Sequence, residues 1–256
     1  MPQREPKVSV VTVCYNTVDS IERTILSILD QTYHNIEYII IDGGSTDGTV
    51  DIIQRYADRI SYWVSEPDKG IYDAMNKGIA VATGDYINFM NAGDCFFSHS
   101  IIEAVVYNIN RTAVYYGDVV MCDAKNNCFF YGGKFNRYRI AITNICHQGI
   151  FYPLSLLKEH QYDLSYPILA DWHTNQSLWK YTSFQHINLI TAKFSLGGLS
   201  SSSIKDIAFY KNRISHLAKS LGIRATIYYI FRRTCSTLKQ ALIQKHIDNK
   251  RKPQLT

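Results

Sequence analysis

The segment Asn91–Asp94 has the residue types of a divalent-cation site. It directly follows Asp85–Met90, an apolar run with the composition of a buried strand. Mg²⁺ in proteins commonly uses one or two carboxylates and completes its shell with phosphate and water oxygens, so Asp94 alone is chemically sufficient. A cation held there can neutralise a diphosphate and make it a better leaving group. The alternative is a simple turn formed by the Gly93-Asp94 pair.

Apolar runs alternate with segments of helical periodicity, which predicts an α/β fold with a mostly parallel sheet and crossover helices. The predicted strands are Val8–Cys14, Ile36–Ile41, Ser61–Ser65, Asp85–Met90, Ala113–Met121 and Cys146–Tyr152, with a hairpin or loop at Asn126–Gly133. The predicted helices of the first half are Ser20–Leu29, Thr49–Tyr56, Ile71–Ala82 and Ser100–Ile109.

Polar clusters follow the first four predicted strands, namely Asn16, Asp42, Glu66–Asp68 and Asn91–Asp94. Ligands of open parallel sheets bind beyond the carboxyl ends of the strands. We therefore expect the four clusters to converge on one crevice.

The 256 residues are enough for one large α/β domain or a domain with an appendage. The six cysteines show neither a C-x-x-C pair nor metal-ligand spacing, and the first residues lack an apolar leader. Both features predict reduced thiols in a cytoplasmic protein. No stretch approaches the roughly 18 apolar residues that span a bilayer.

Positive charge is concentrated at the end of the chain. After residue 200 there are twelve Lys or Arg and two Asp, a net charge of +10, whereas the remainder carries −5. This asymmetry predicts a catalytic domain at 1–203 and a basic helical tail at 204–256. Between residues 224 and 242 the apolar residues fall on one face of a helix, which is typical of docking to an anionic membrane surface. Packing on the catalytic domain, or on a second subunit in a homodimer, is the alternative.

The segment EPDKGIYDAMNKGIAVATGDYINFMNAGD, residues 66–94, resembles the family 2 glycosyltransferases when combined with VSVVTVCYN at residues 8–16 and IIIDGGSTDGT at residues 39–49. The resemblance is strongest to the bacterial surface-polysaccharide branch, which includes enzymes of colanic-acid and O-antigen biosynthesis. It implies a GT-A fold, a Rossmann-like sheet flanked by helices that binds a nucleoside-diphosphate sugar. It also implies Mg²⁺ or Mn²⁺ at Asp94.

The same resemblance assigns nucleotide-sugar contacts to ten residues, which are Thr12, Tyr15, Asn16, Asp42, Asp68, Asp73, Asn76, Asn91, Gly93 and His147. Two positions depart from the family pattern. Gly43 stands where relatives often have a second Asp, and Asn91-Ala92-Gly93-Asp94 leaves one carboxylate in the usual D-x-D motif. Asp42 has an alternative role as a helix N-cap.

Ile168–Trp172 resembles the helix start that supplies the catalytic aspartate of the family, here Asp171. A carboxylate there takes the proton of the acceptor hydroxyl, a contribution of about 10²–10⁴-fold to the rate. Asp163 is a weaker rival for this role. A helix-stabilising carboxylate is the structural alternative for Asp171. Residues 195–203, SLGGLSSSS, resemble a loop that orders over the donor, with Gly197-Gly198 as its hinge.

The resemblance implies an inverting transfer of a single hexose from a UDP-sugar to a lipid-linked saccharide at the inner face of the bacterial membrane, in capsule, O-antigen or exopolysaccharide synthesis. The chain would then be a peripheral membrane protein. A pseudoenzyme that binds nucleotide-sugar without turnover remains an alternative. The basic tail is also compatible with binding to nucleic acid, but no RNA- or DNA-binding signature accompanies it, so we expect no nucleic-acid partner.

Overall fold

The computed structural model describes residues 5–123, 125–197 and 206–251, with side chains up to residue 240. The strands are β1 (Val8–Cys14), β2 (Ile36–Asp42), β3 (Tyr62–Ser65), β4 (Tyr86–Phe89), β5 (Cys95–Phe96), β6 (Val114–Cys122), β7 (Cys128–Tyr131), β8 (Ile150–Pro153) and β9 (Phe184–Ser195). The helices are α1 (Ile21–Leu29), α2 (Thr49–Arg55), α3 (Ile71–Val81), α4 (Ile101–Asn108), α5 (Arg137–Ile140), α6 (Leu154–Glu159), α7 (Ala170–Leu178), α8 (Ile207–Leu221) and α9 (Ile223–Arg251).

The described strands form one sheet in the order β3-β2-β1-β4-β8-β6-β9-β5. The remaining strand, β7, lies off this path and pairs with β6 in a hairpin. The first four of these strands are parallel, and β1 is buried at every residue because helices cover both of its faces. β8 runs antiparallel to both β4 and β6 and joins this parallel half to the half that contains β6, β7 and β9. The predicted α/β class and the parallel first half are confirmed.

The second half of the sheet departs from the sequence prediction. Residues 147–149 form a 3-10 turn rather than the start of a strand, so that β8 begins only at Ile150. The long strand β9 was not predicted, because its apolar residues follow no period-two pattern. β9 pairs in parallel with β6, with a register shift beside Gly117. A Cβ at Gly117 would lie 2.3 Å from the Thr191 side chain, so the crossing strands approach closely only with glycine there.

The prediction that all six cysteines are reduced is wrong for one pair. Cys122 and Cys128 form a disulfide that closes the β6–β7 hairpin. The two residues lie directly opposite each other in the register of the hairpin, with their Cα atoms 4.1 Å apart. This proximity arises from strand pairing and leaves no trace in cysteine spacing alone.

The two C-terminal helices differ in their environment. α8 buries Phe209, Arg213 and Leu217 in the same core as Ala170 of α7, whereas α9 buries only its first turns, through Ala225 and Tyr229. The remaining described side chains of α9, from residue 230 to 240, are exposed. The predicted boundary at 203/204 lies outside the described residues. No described helix is long and apolar enough to cross a membrane.

Candidate functional site

A cleft with a volume of about 900 Å³ opens at the carboxyl ends of β1 and β4 and extends to β6 and β9. Seven of the twelve predicted site residues line it, namely Tyr15, Asp68, Asn91, Gly93, Asp94, His147 and Asp171. Of the four polar clusters expected to converge, only Glu66–Asp68 and Asn91–Asp94 contribute residues to this lining. The other five, Thr12, Asn16, Asp42, Asp73 and Asn76, lie outside its lining.

Asp171 lies in the first turn of α7 and is 7% exposed. The Tyr72 hydroxyl donates to its Oδ1 at 2.9 Å, and Asn144 Nδ2 donates to its Oδ2 at 2.8 Å. Burial and the neighbouring Asp171 carboxylate raise the pKa of Tyr72 well above its ordinary value, which keeps its hydroxyl a donor. The carboxylate is thus held in one orientation at the wall of the cleft while retaining lone pairs that can accept a proton.

Asp94 lines the same cleft and is held by two further donors. Ser195 N donates to its Oδ1 at 3.0 Å and Gln148 Nε2 to its Oδ2 at 2.6 Å. Burial raises the pKa of Asp94 to about 6, although these bonds and the positive charge of Arg23 oppose the increase. A buried carboxylate with one hydrogen bond per oxygen still has lone pairs available to a cation.

The turn that carries Asp94 is fixed to helix α1. Thr24 Oγ1 accepts from Gly93 N at 3.0 Å and donates to the Asp94 carbonyl at 2.7 Å. Gly93 has φ of +99°, a conformation that favours glycine, and its carbonyl accepts from the Arg23 guanidinium. The departure of Gly93 from the family pattern thus has a backbone reason.

The donor set around Asp94 fits a hard divalent cation that also binds phosphate. The described residues contain no group of three His, Cys, Asp or Glu that could enclose a metal by itself. One carboxylate is available, and the buried Asn91 Oδ1 in the same turn has no hydrogen-bond partner. Oxygen ligands in this small number suit Mg²⁺ or Mn²⁺ completed by diphosphate and water.

His147 lies beside both Asn91 and Asp171. Its Nε2 lies 2.9 Å from Asn91 Nδ2, and its Nδ1 lies 3.5 Å from Asp171 Oδ2. Because the Asn91 amide nitrogen can only donate, Nε2 accepts and the ring proton resides on Nδ1, facing Asp171. One imidazole therefore links the candidate cation-binding turn to the candidate base.

Asp42 is completely buried and organises the loop that follows β2. Its carboxylate accepts from Ser45 N at 2.8 Å and from Ser65 Oγ at 2.6 Å. Burial raises its pKa, but the hydrogen bonds from Ser45 and Ser65 outweigh that effect and lower the pKa below its ordinary value. The carboxylate stays ionised and accepts hydrogen bonds from the loop in this structure, while its predicted contact with the nucleotide-sugar remains a prediction.

Asp68 lines the cleft beside this loop, and its position explains the glycine at residue 43. A Cβ added to Gly43 would lie 2.4 Å from Asp68 Oδ2. The absent second aspartate at position 43 is therefore matched by a carboxylate that reaches the same space from the segment after β3. Tyr15, 62% exposed, borders the same part of the cleft.

The remaining predicted residues make structural contacts. Thr12 donates to the Met90 carbonyl at 2.8 Å, and Asn16, with φ of +49°, accepts from Thr46 N at 3.0 Å. Asp73 accepts from Lys69 N at 3.0 Å, and Asn76 exchanges two hydrogen bonds with the Tyr162 backbone. These bonds fix β1, its following loop and α3 beside the cleft.

Sequence reasoning assigned no role to the residues that orient the two carboxylates. Tyr72 lies inside residues 66–94, Gln148 directly follows the predicted residue His147, and Ser195 begins the predicted loop 195–203, so their neighbourhood was a usable signal. Asn144 and Arg23 had none, because each reaches the cleft through contacts between residues far apart in the chain. Of the loop predicted to cover the donor, Ser195 and Leu196 line the cleft, and Gly198–Ser203 lie outside the described residues.

Known structures share the fold of this chain. The structure of S. aureus TarS 1-349 in complex with UDP-GlcNAc matches with a TM-score of 0.68 and 16% identity, over 84% of this chain and 66% of that one. The mannosyltransferase PcManGT from Pyrobaculum calidifontis in complex with GDP-Man and Mn²⁺ matches with a TM-score of 0.58 and 18% identity, over 86% of this chain and 64% of that one. Both likenesses confirm the GT-A fold.

At the level of sequence, a PGL/p-HBAD biosynthesis glycosyltransferase of Mycobacterium bovis is 30% identical over 252 residues, which cover 94% of this chain and 96% of the relative. The family model described as Glycosyl transferase family 2 matches residues 9–164. The resemblance carried by residues 66–94 is thereby confirmed, and the chain belongs to glycosyl transferase family 2.

Proposed function

We propose that this glycosyltransferase transfers one sugar with inversion from a nucleoside-diphosphate sugar, first among them a UDP-sugar, to a lipid-linked saccharide of a bacterial surface polysaccharide. The observation that carries the proposal is the placement of two oriented carboxylates, Asp94 and Asp171, in one cleft, with His147 between Asp171 and the turn that carries Asp94. One carboxylate is suited to the leaving diphosphate and the other to the incoming hydroxyl. This arrangement favours turnover over a pseudoenzyme.

Asp171 acts as the base in the proposed reaction. The acceptor oxygen forms a bond to C1 of the donor sugar on the face opposite the diphosphate, and the bond between C1 and the phosphate oxygen breaks with its electron pair. The proton of the acceptor hydroxyl moves to Asp171. Tyr72 and Asn144 hold the Asp171 carboxylate in the orientation that receives this proton. The Nδ1 proton of His147 faces Asp171 Oδ2, the oxygen that also accepts from Asn144.

Asp94 and Asn91 would hold Mg²⁺ or Mn²⁺, which supplies charge neutralisation to the leaving diphosphate when bound. Gln148 and Ser195 position the Asp94 carboxylate for that role. Arg23 of α1 donates to the Gly93 carbonyl and to the Ser195 hydroxyl, and it thereby stabilises the turn that carries Asp94.

A thermal-shift panel with UDP, GDP, CDP and ADP, each with and without Mn²⁺, tests the donor site. We expect one nucleotide with Mn²⁺ to stabilise the wild type by about 2.7 kcal/mol at a hundredfold excess over Kd, and to lose most of this effect in Asp94→Asn. Asp19→Asn is the matched control, since Asp19 is exposed and lies outside the cleft lining. A metal-independent shift, or an equal shift in Asp94→Asn, would remove Asp94 as the cation ligand.

Peripheral membrane association is the second part of the proposal. The exposed face of α9 carries large apolar side chains, among them Ile227 at 59%, Phe231 at 63% and Leu238 at 60% exposure. Arg232, Arg233 and Lys239 flank them, and each cation near an anionic leaflet contributes on the order of 1 kcal/mol. An apolar face bordered by cations suits a lipid surface that also presents the acceptor.

We expect Phe231→Asp to reduce flotation with phosphatidylglycerol vesicles by at least tenfold, since the substitution places a carboxylate at the interface. Tyr107→Asp is the control, because Tyr107 on α4 is 89% exposed and lies on another element. Sedimentation of both variants tests the alternative that this face of α9 packs on a second subunit. A dimer that dissociates in Phe231→Asp, with unchanged vesicle binding, would assign the face to a second subunit.

A further inference from the structure

The half of the cleft formed by β6, β7 and β9 presents a row of apolar side chains. Met121 lies opposite Phe129 in the antiparallel pair β6–β7 and opposite Phe194 in the parallel pair β6–β9. Residues paired directly across strands project from the same face of a sheet. Met121 and Phe194 line the cleft, so Phe129 lies on the cleft face as well, farther out at the hairpin. We call Phe194, Met121 and Phe129 the apolar row.

The apolar row is connected to both candidate catalytic carboxylates through neighbouring residues. Ser195, which follows Phe194, donates its backbone N–H to Asp94. Tyr131, two residues after Phe129 and on the same face, also lines the cleft, and its hydroxyl donates to the carbonyl of Asn144. Asn144 in turn holds Asp171. An acceptor whose hydroxyl approaches Asp171 would therefore have its next part beside the row.

The side chains of the row offer no hydrogen-bonding hydroxyl, amide or charge for reading a saccharide. Phe129 lies directly opposite Met121, which lines the cleft, and is nevertheless 51% exposed. The Cys122–Cys128 disulfide closes the hairpin that carries Phe129. Exposed aromatic surface continuous with a ligand cleft gains most from an apolar ligand, because burial removes that surface from water.

We propose that the apolar row binds the hydrocarbon part of a glycolipid acceptor, adjacent to the hydroxyl that receives the sugar. The inference rests on the proposed function and adds to it a binding site for the hydrocarbon of the acceptor. Such an acceptor presents its hydroxyl to Asp171 and lays its chain along Phe194, Met121 and Phe129 towards the open end of the cleft. The row then selects alkyl or aromatic glycosides over free saccharides.

Photolabelling locates this binding without requiring turnover. An octyl β-glucoside that bears a diazirine on its chain is irradiated with the full-length protein below its micellar concentration, and labelled peptides are mapped by mass spectrometry. We expect label on the β6–β7 hairpin and on β9, and competition by dodecyl maltoside but not by maltose. Label confined to α9, or equal competition by maltose, would overturn the proposal.

The chain supplies a matched pair of variants. Phe130 is adjacent to Phe129, is 59% exposed and projects from the opposite face of the same strand. We expect Phe129→Ser to lower the cleft labelling roughly tenfold, since loss of one aromatic contact is worth about one decade in affinity. Phe130→Ser should leave it unchanged. Equal effects of the two substitutions would overturn the assignment to the cleft face.

The thermal-shift panel with nucleotides distinguishes a failure of the apolar site from a failure of the proposed sugar transfer. A metal-dependent nucleotide shift combined with no label on the row overturns the apolar site and leaves the donor site intact. Label on the row combined with no nucleotide shift supports the apolar site and counts against the proposed transfer. The nucleotide shift of Phe129→Ser also reports that the variant is folded.

Discussion

An Asp171→Asn variant is expected to bind the nucleotide donor as the wild type does and to transfer sugar about 10²–10⁴-fold more slowly. The amide has nearly the same shape and can still accept from Tyr72 or Asn144, but it cannot take the proton of the acceptor hydroxyl. The loss should therefore appear in kcat, with the donor KM little changed. Release of nucleoside diphosphate in the presence of acceptor measures both quantities.

The rival aspartate provides the control for this experiment. Asp163 is exposed, lies outside the cleft lining and accepts from Ser165 N at 2.9 Å. Asp163→Asn should retain turnover within a factor of about two, an effect below 0.5 kcal/mol. Unchanged turnover in Asp171→Asn would exclude Asp171 as the base, and a loss confined to Asp163→Asn would assign the role to that residue.

A Leu217→Ala substitution in α8 should lower the free energy of unfolding by about 2–5 kcal/mol. Leu217 is completely buried in the core that also contains Ala170 of α7, so truncation leaves a cavity beside the helix that carries Asp171. Chemical denaturation followed by circular dichroism measures the effect. We expect one cooperative transition, because α8 shares its core with the catalytic domain.

Ile214→Ala on the same helix is the comparison, since Ile214 is 55% exposed. Its effect should stay within about 0.5 kcal/mol. A separate early transition that alone responds to Leu217→Ala would show that α8 folds apart from the catalytic domain, in agreement with a boundary near residue 203. Equal effects of both substitutions would show that α8 does not pack as described.

The sequence was most informative where periodicity and strand ends determine position. β-branched runs and the polar residues after them predicted the parallel half of the sheet, and seven predicted residues reached one cleft. Prediction was poorer where long-range pairing decides the outcome. β9 has no clean alternation because it is bulged against β6, and the orientation of Asp171 by Asn144 depends on contacts between separate segments.

In the C-terminal tail, periodicity predicted an apolar stripe on a helix but did not predict which face of the helix contacts the core. The apolar stripe with Ile227 and Phe231 was predicted from periodicity, and in the structure these side chains are exposed. The face of α9 that contacts the core is instead formed by Ala225 and Tyr229. Arg213 of α8 is buried over the ring of Trp172, at 4.0 Å from its centroid, so a basic residue counted as part of a charged tail is a core component.

The antiparallel strand β8 also determines where this chain can be recombined with a relative. His147 and Gln148 lie just before it and contact Asn91 and Asp94, while Asn88 of β4 donates to the carbonyls of Gln148 and Ile150. A chimera that exchanges the chain after residue 153 would keep this joint from one parent. A crossover between residues 91 and 147 would take Asn91 from one parent and the His147–Gln148 pair from the other. Chimeras should therefore have their junction beyond β8.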